Sequence, residues 1–82
     1  MKEKKIIISN KLGLHARAAA KIVTLTNKFQ SIIEITNNGK KADAKSIMKI
    51  LMLAAPQGTK IKITASGKDE AAAIKSLEKL IE

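Results

Sequence analysis

An α+β fold of two layers, with helices covering one face of a sheet, follows from three features of this sequence. First, several short segments alternate apolar and polar residues, most cleanly Ile61, Ile63 and Ala65 against Lys60, Lys62 and Thr64, the period of a strand buried on one side. Second, three stretches, two between those segments and one after the last, repeat apolar residues at helical spacing instead. Third, the strand-like runs are too short and too alternating for burial on both faces, so the reverse of the sheet meets solvent. The order is β-α-β-β-α-β-α over 82 residues, a length that makes one domain, 1–82, with a modest core.

Residues 4–9 open the chain as an isoleucine-rich strand bounded by Asn10. From 16 to about 28 the pattern is helical, with Ala19, Ile22, Val23 and Thr26 on one face and Phe29 continuing it. Residues 31–36 and 40–44 flank Asn37-Asn38-Gly39, a hairpin signal because Asn-Gly tolerates the positive φ of tight turns. Ile33 and Ile35 point to the core there, Glu34 and Thr36 point out, and Ile32 breaks the alternation. Residues 46–53 make a short apolar helix with Ser46 at its N-cap, stopped by Ala54-Ala55-Pro56-Gln57-Gly58. After the strand 60–66 comes an amphipathic helix, 69–81, with Ile74, Leu77, Leu80 and Ile81 inward. Asp69 and Glu70 suit its N-terminus, and Lys75 and Lys79 its C-terminal half. The runs 18–20 and 71–73 of alanine favour helix and are not spacers.

The one histidine, His15, stands where a loop gives way to the alanine-rich helix, in Leu12-Gly13-Leu14-His15-Ala16-Arg17. The first N–H groups of a helix have no partner within it, and the macrodipole adds positive charge there. Arg17 brings a planar fork of donors to the same point. That setting suits a phosphoryl group on the imidazole and repels a metal cation. The plainer reading of His15 is a polar residue at a loop–helix junction. Other chemistries fare worse. With no cysteine and no second histidine, neither a Cys–His pair nor a His-rich metal site can form. No Gly-x-Ser-x-Gly elbow is present either.

Composition narrows the classes further. Apolar residues make up 45% of the chain and Phe29 is its one aromatic, too much branched aliphatic for a disordered segment. The three consecutive isoleucines near the N-terminus are too few for a signal or membrane span, and a cytoplasmic protein is expected. Sixteen Lys and Arg against seven Asp and Glu give a formal net charge of +9. A small nucleic-acid-binding module is the alternative this charge raises. Against it, the lysines are scattered and no strand aromatics are available to stack bases. Docking on acidic protein surfaces, which complementarity speeds, fits better.

Four segments together carry a resemblance: Leu12-Gly13-Leu14-His15-Ala16-Arg17, Asn38-Gly39-Lys40, Ala44-Lys45-Ser46-Ile47-Met48 and Ser66-Gly67-Lys68-Asp69-Glu70. In this the chain resembles, over essentially its whole length, the histidine phosphocarrier (HPr) family of the phosphoenolpyruvate-dependent phosphotransferase system. The resemblance implies an open-faced β-sandwich of four antiparallel strands with three helices on one side. It implies that His15 accepts a phosphoryl group through Nδ1 from enzyme I and passes it to an enzyme IIA-type acceptor. Arg17 and the N–H groups of Ala16 and Arg17 would hold the phosphoryl oxygens. No metal or organic cofactor is called for, and a monomer is expected.

Sugar-branch carriers usually have proline where this chain has Ala18 and glycine where it has Ala54. Ala18 and the run Leu51-Met52-Leu53-Ala54-Ala55 are more similar to NPr, the carrier of the nitrogen-related regulatory branch. Ser46, beyond its capping role, matches the serine that a dedicated kinase phosphorylates in some members. Ala20, Ile47, Met48 and Leu51 match positions used for partner contact. Ile47, Met48, Leu51 and Met52 cannot all point inward at 100° per residue, so this cluster divides between core and surface.

Overall fold

The computed structural model describes residues 1–81. Its elements are β1 (Lys2–Ile7), α1 (Ala16–Thr26), β2 (Ile32–Asn37), β3 (Lys40–Asp43), α2 (Ile47–Met52), β4 (Lys60–Ser66) and α3 (Glu70–Ile81), in the order read from the sequence. The strands form one sheet in the order β1-β4-β2-β3, with every neighbouring pair antiparallel.

Register decides which side chains share a face. Ile6 lies opposite Ile61, Ile35 opposite Ile63, and Ile33 opposite Ala65. These six are buried, as are Ala42 of β3, Ala19 and Ile22 of α1, Ile50 of α2, and Ala73 and Leu77 of α3. Burying each large aliphatic side chain contributes about 1.5–3 kcal/mol. On the reverse face Glu3, Thr64, Glu34 and Asp43 form one row across the sheet, and Lys5, Lys62, Thr36 and Lys41 form the next.

Element ends depart from the sequence reading by a few residues. β1 covers 2–7 rather than 4–9, because beyond Ile7 the chain bonds to the loop before β4: Ile8 N–H donates to Thr59 O at 3.0 Å and Ile8 O accepts Gly58 N–H at 2.8 Å. α1 ends at Thr26 rather than near Lys28. Asn27 caps it, its Nδ2 donating to Val23 O at 2.9 Å. The buried Thr26 hydroxyl donates to Ala44 O at 2.7 Å and ties the helix end to the segment after β3.

In α3 the expected inward face needs one correction. Leu80 is 41% exposed, and Ala73, Leu77 and Ile81, spaced by four, form the buried stripe with Ile74 packed beside it. Leu80 falls at the stripe's margin, a rotation that spacing by itself leaves open.

The start of α3 is fastened to the chain before β2. The Asp69 carboxylate accepts from Gln30 N–H at 2.9 Å, from Ser31 N–H at 3.0 Å, and from the buried Ser31 hydroxyl. The Ser31 hydroxyl first, then the Gln30 N–H, hold its carboxyl below the ordinary value of 3.8. Glu70 is lowered in the same way, chiefly by the Gly67 N–H bonded to its Oε1 at 3.1 Å and then by the Met1 amino group at 3.2 Å. Gly67 itself has φ +152°, and a Cβ there would lie 2.8 Å from Ser31 Cα.

Candidate functional site at the start of the first helix

The loop from Asn10 to His15 is fixed by its own backbone and by the loop after α2. Asn10 O accepts Gly13 N–H at 2.9 Å, and Asn10 Oδ1 accepts Leu12 N–H at 3.0 Å, an Asx turn. Leu14 N–H donates to Ala55 O at 2.9 Å, with the Leu14 side chain buried. Gly13 is required at this crossing: it has φ +66°, and a Cβ would stand 2.3 Å from Ala55 O and 2.7 Å from Pro56 Cα.

His15 is the N-cap of α1. Its backbone is extended, its carbonyl accepts Ala19 N–H at 2.8 Å, and its Nδ1 accepts Arg17 N–H at 3.2 Å. The imidazole thus does what a Ser or Asp usually does at this place, satisfying a donor the helix leaves open. The contact points the Nδ1 lone pair at the helix start. The Arg17 N–H, expected to be open for a phosphoryl oxygen, is spoken for by Nδ1 in the free protein. The Ala16 N–H, at the first helical position, belongs to the donors that a helix leaves unpaired.

The ring is half-buried, while the Arg17 side chain is exposed and in neither ion pair found among the described residues. A small cavity of about 110 Å³ opens beside them, its walls including Ile8, Asn10, Lys21 and Leu80. On the other side of the ring, Nε2 lies 3.3 Å from Asn10 Nδ2. The sequence reading treated Asn10 as no more than the end of a strand. An Asn two residues before a loop N–H it can bind was the available signal.

The second part of the site is α2, which packs against α1. Ser46 caps it, Oγ accepting Lys49 N–H at 3.3 Å. The apolar cluster divides as the 100° spacing requires: Ile47 is 39% exposed, Met48 and Met52 are 69% exposed, and Leu51 packs half-buried on the core. Ile50 of this helix and Leu53 at its C-cap reach the core, a role the sequence reading gave to neither. Ala20 is exposed on α1. Neither α1 nor α2 contains an acidic residue, whereas both contain basic ones: Arg17 and Lys21 on α1, Lys49 on α2. Among the described residues no group of three His, Cys, Asp or Glu could hold a metal ion, and no helix is long and apolar enough to cross a membrane.

Comparisons with known proteins cover nearly the whole chain. The family model described as "PTS HPr component phosphorylation site" matches residues 2–82. The chain is 48% identical over 82 residues to the phosphocarrier protein HPr of Xylella fastidiosa (strain 9a5c), covering 100% of this chain and 92% of that one. It is 44% identical over 80 residues to the phosphocarrier protein NPr of Proteus mirabilis (strain HI4320), covering 96% and 89%. A crystal structure of HPr from Thermoanaerobacter tengcongensis superposes with a TM-score of 0.95 at 51% identity, covering 99% and 91%. An HPr dimer from the same organism matches with a TM-score of 0.78, covering 99% and 93%. A chain that matches the family end to end and folds as its members do belongs to the HPr family of phosphotransferase-system phosphocarrier proteins.

Proposed function

We propose that His15 is the residue that carries the phosphoryl group, accepting it from an enzyme I-type donor and passing it to an enzyme IIA-type acceptor. The observation that carries this reading is the contact of Nδ1 with Arg17 N–H at the first turn of α1. A phosphoryl group built on Nδ1 enters the place where helix donors converge, with the Ala16 and Arg17 N–H groups for its oxygens and the guanidinium of Arg17 within the same turn. Nδ1 attacks phosphorus as the donor's P–N bond breaks. Both bonds are of one kind, so the transfer is near balance, and the chain supplies positioning and charge rather than chemical activation. On this reading the protein is a carrier in a phosphotransferase chain and not an enzyme in its own right.

The exposed Ile47, Met48 and Met52, with Ala20 and the acid-free surface of α1 and α2, form the face that partners dock on. Methionines adapt to more than one surface, as a carrier with a donor and an acceptor requires. Leu51 supports this face from beneath. Ser46, placed at its edge, is the proposed target of a serine kinase, where a phosphate would add charge against acidic partners. Ala18 and the 51–55 run favour the nitrogen-related regulatory branch over sugar uptake. We place the exchange in the cytoplasm and read the working form as a monomer.

Intact mass after incubation with phosphoenolpyruvate and a cognate enzyme I tests the central assignment. The wild-type chain should gain one acid-labile phosphoryl group and His15→Ala none. Equal labelling of the two would sink the assignment. Offering the phosphorylated chain to IIA proteins of each branch then separates the two roles.

A further inference from the structure

We infer that Asn10 is a positioning residue for His15: it holds a hydrogen-bond donor against Nε2, and that donor finds its acceptor only once Nδ1 carries phosphorus. The inference rests on the reading of His15 given above.

The orientation of the Asn10 amide is decided by the backbone. Oδ1 accepts Leu12 N–H at 3.0 Å, so Nδ2, a donor with no lone pair to offer, is the atom facing Nε2 at 3.3 Å. On the other side of the ring, Nδ1 faces another donor, the Arg17 N–H at 3.2 Å. A neutral imidazole has one acceptor nitrogen and one N–H. Two donors therefore flank a ring that can satisfy only one of them. With Nδ1 bonded to the Arg17 N–H, the proton is on Nε2 and meets the Asn10 amide donor to donor.

Phosphorylation removes this mismatch. As the Nδ1–P bond forms and the donor's N–P bond breaks, the ring stays neutral by giving up the Nε2 proton, to the departing imidazole of the donor or to water. Nε2 then holds a lone pair and accepts from Asn10 Nδ2. The phosphoryl oxygens take over the Arg17 and Ala16 N–H groups that a loop–helix junction leaves for them. Each flanking donor has a partner in the phosphorylated state, and one lacks it in the free state. A hydrogen bond into the Nε2 lone pair also competes with its reprotonation. Reprotonation turns the ring into a better leaving group, so Asn10 prolongs the life of the phosphorylated carrier between partners.

Asn10→Asp isolates the effect. A carboxylate oxygen still accepts Leu12 N–H and keeps the turn, while the atom facing Nε2 changes from donor to acceptor. Two measurements decide. In the unphosphorylated protein, ¹⁵N shifts of the His15 ring should show Nε2 more fully protonated in Asn10→Asp than in wild type, with the Leu12 amide resonance in place. In the phosphorylated protein at neutral pH, loss of phosphate should be about tenfold faster in Asn10→Asp, the factor of one hydrogen bond to an ionised group. Asn10→Ala, which removes donor and acceptor alike, should fall between them. Unchanged ring shifts together with an unchanged phosphate lifetime would overturn the role given to Asn10. Failure of the wild-type chain to take phosphate on His15 would instead overturn the proposed function, and the ring shifts would still report on the Asn10 contact.

Discussion

Arg17 presents its backbone to the His15 ring and its guanidinium to solvent. A side chain so exposed, with no ion pair among the described residues, contributes little to folding. Arg17→Ala should change the unfolding free energy by less than about 1 kcal/mol while slowing phosphoryl transfer clearly, as stopped reactions with enzyme I would show. Transfer at the wild-type rate would remove Arg17 from the site. Ala54 makes the opposite case, a residue whose backbone matters more than its side chain. It follows α2 with φ +50°, in the left-handed region that a Cβ disfavours. Glycine takes this conformation without that penalty. Ala54→Gly relieves the strain and gives back part of the gain as unfolded-chain entropy. Urea denaturation should show a net stabilisation of about 0.5–1 kcal/mol.

At the scale of elements, the helices are held by side chains that reach across the sequence. Asp69 gathers the Gln30 and Ser31 donors and so joins the start of α3 to the entry of β2. Its folded-state pKa lies below the unfolded value, so its contribution is fully present above the ordinary value of 3.8 and fades as the pH falls through the depressed folded value. Glu70 acts in the same direction. Denaturant midpoints measured on acidification should therefore fall steeply below about pH 4 in wild type and less steeply in Asp69→Asn. Parallel curves would show that the Asp69 bonds bring no linkage. Only the motif Ser66-Gly67-Lys68-Asp69-Glu70 was visible in the sequence. Its structural reason, a close approach of Gly67 to Ser31 with Asp69 clamping the same strand entry, joins residues far apart in the chain.

For the whole molecule, the net charge of +9 matters less than its distribution. The open sheet face, where a nucleic-acid platform would form, pairs a row containing Glu3, Glu34 and Asp43 with a row containing Lys5, Lys62 and Lys41. The surface of α1 and α2 beside His15 contains basic residues and no acid. Its positive charge thus has no acid on the same two helices to offset it, which suits an acidic protein partner. Ser46→Asp keeps a capping oxygen and suits the helix start, so the fold should be unaltered or slightly more stable. Calorimetric titration at physiological salt should nevertheless show partner affinity weakened by about 1–2 kcal/mol. Unaltered affinity would leave Ser46 a cap and nothing more. Generic DNA or RNA should bind weakly if at all. Micromolar binding that vanishes with added salt would instead favour the nucleic-acid module.

Periodicity carried most of the architecture. The alternation in 60–66 determined which residues of β4 face the core, and the Asn-Gly turn determined the β2–β3 hairpin, because both are local properties of a few successive residues. The His-Ala-Arg motif likewise placed His15 at a helix start, since a helix start is a local event with local chemistry. What the tertiary structure decided was everything that depends on a second segment. The strand order β1-β4-β2-β3 brought distant lysines and acids into rows, and α3 rotated on the core to expose Leu80. Gly13 proved necessary because the loop at Ala55 and Pro56 crosses it within contact distance. The ring of His15 took its direction from the Arg17 N–H, with the Asn10 amide brought against its other nitrogen, a placement set by the folded loop rather than by the order of its residues.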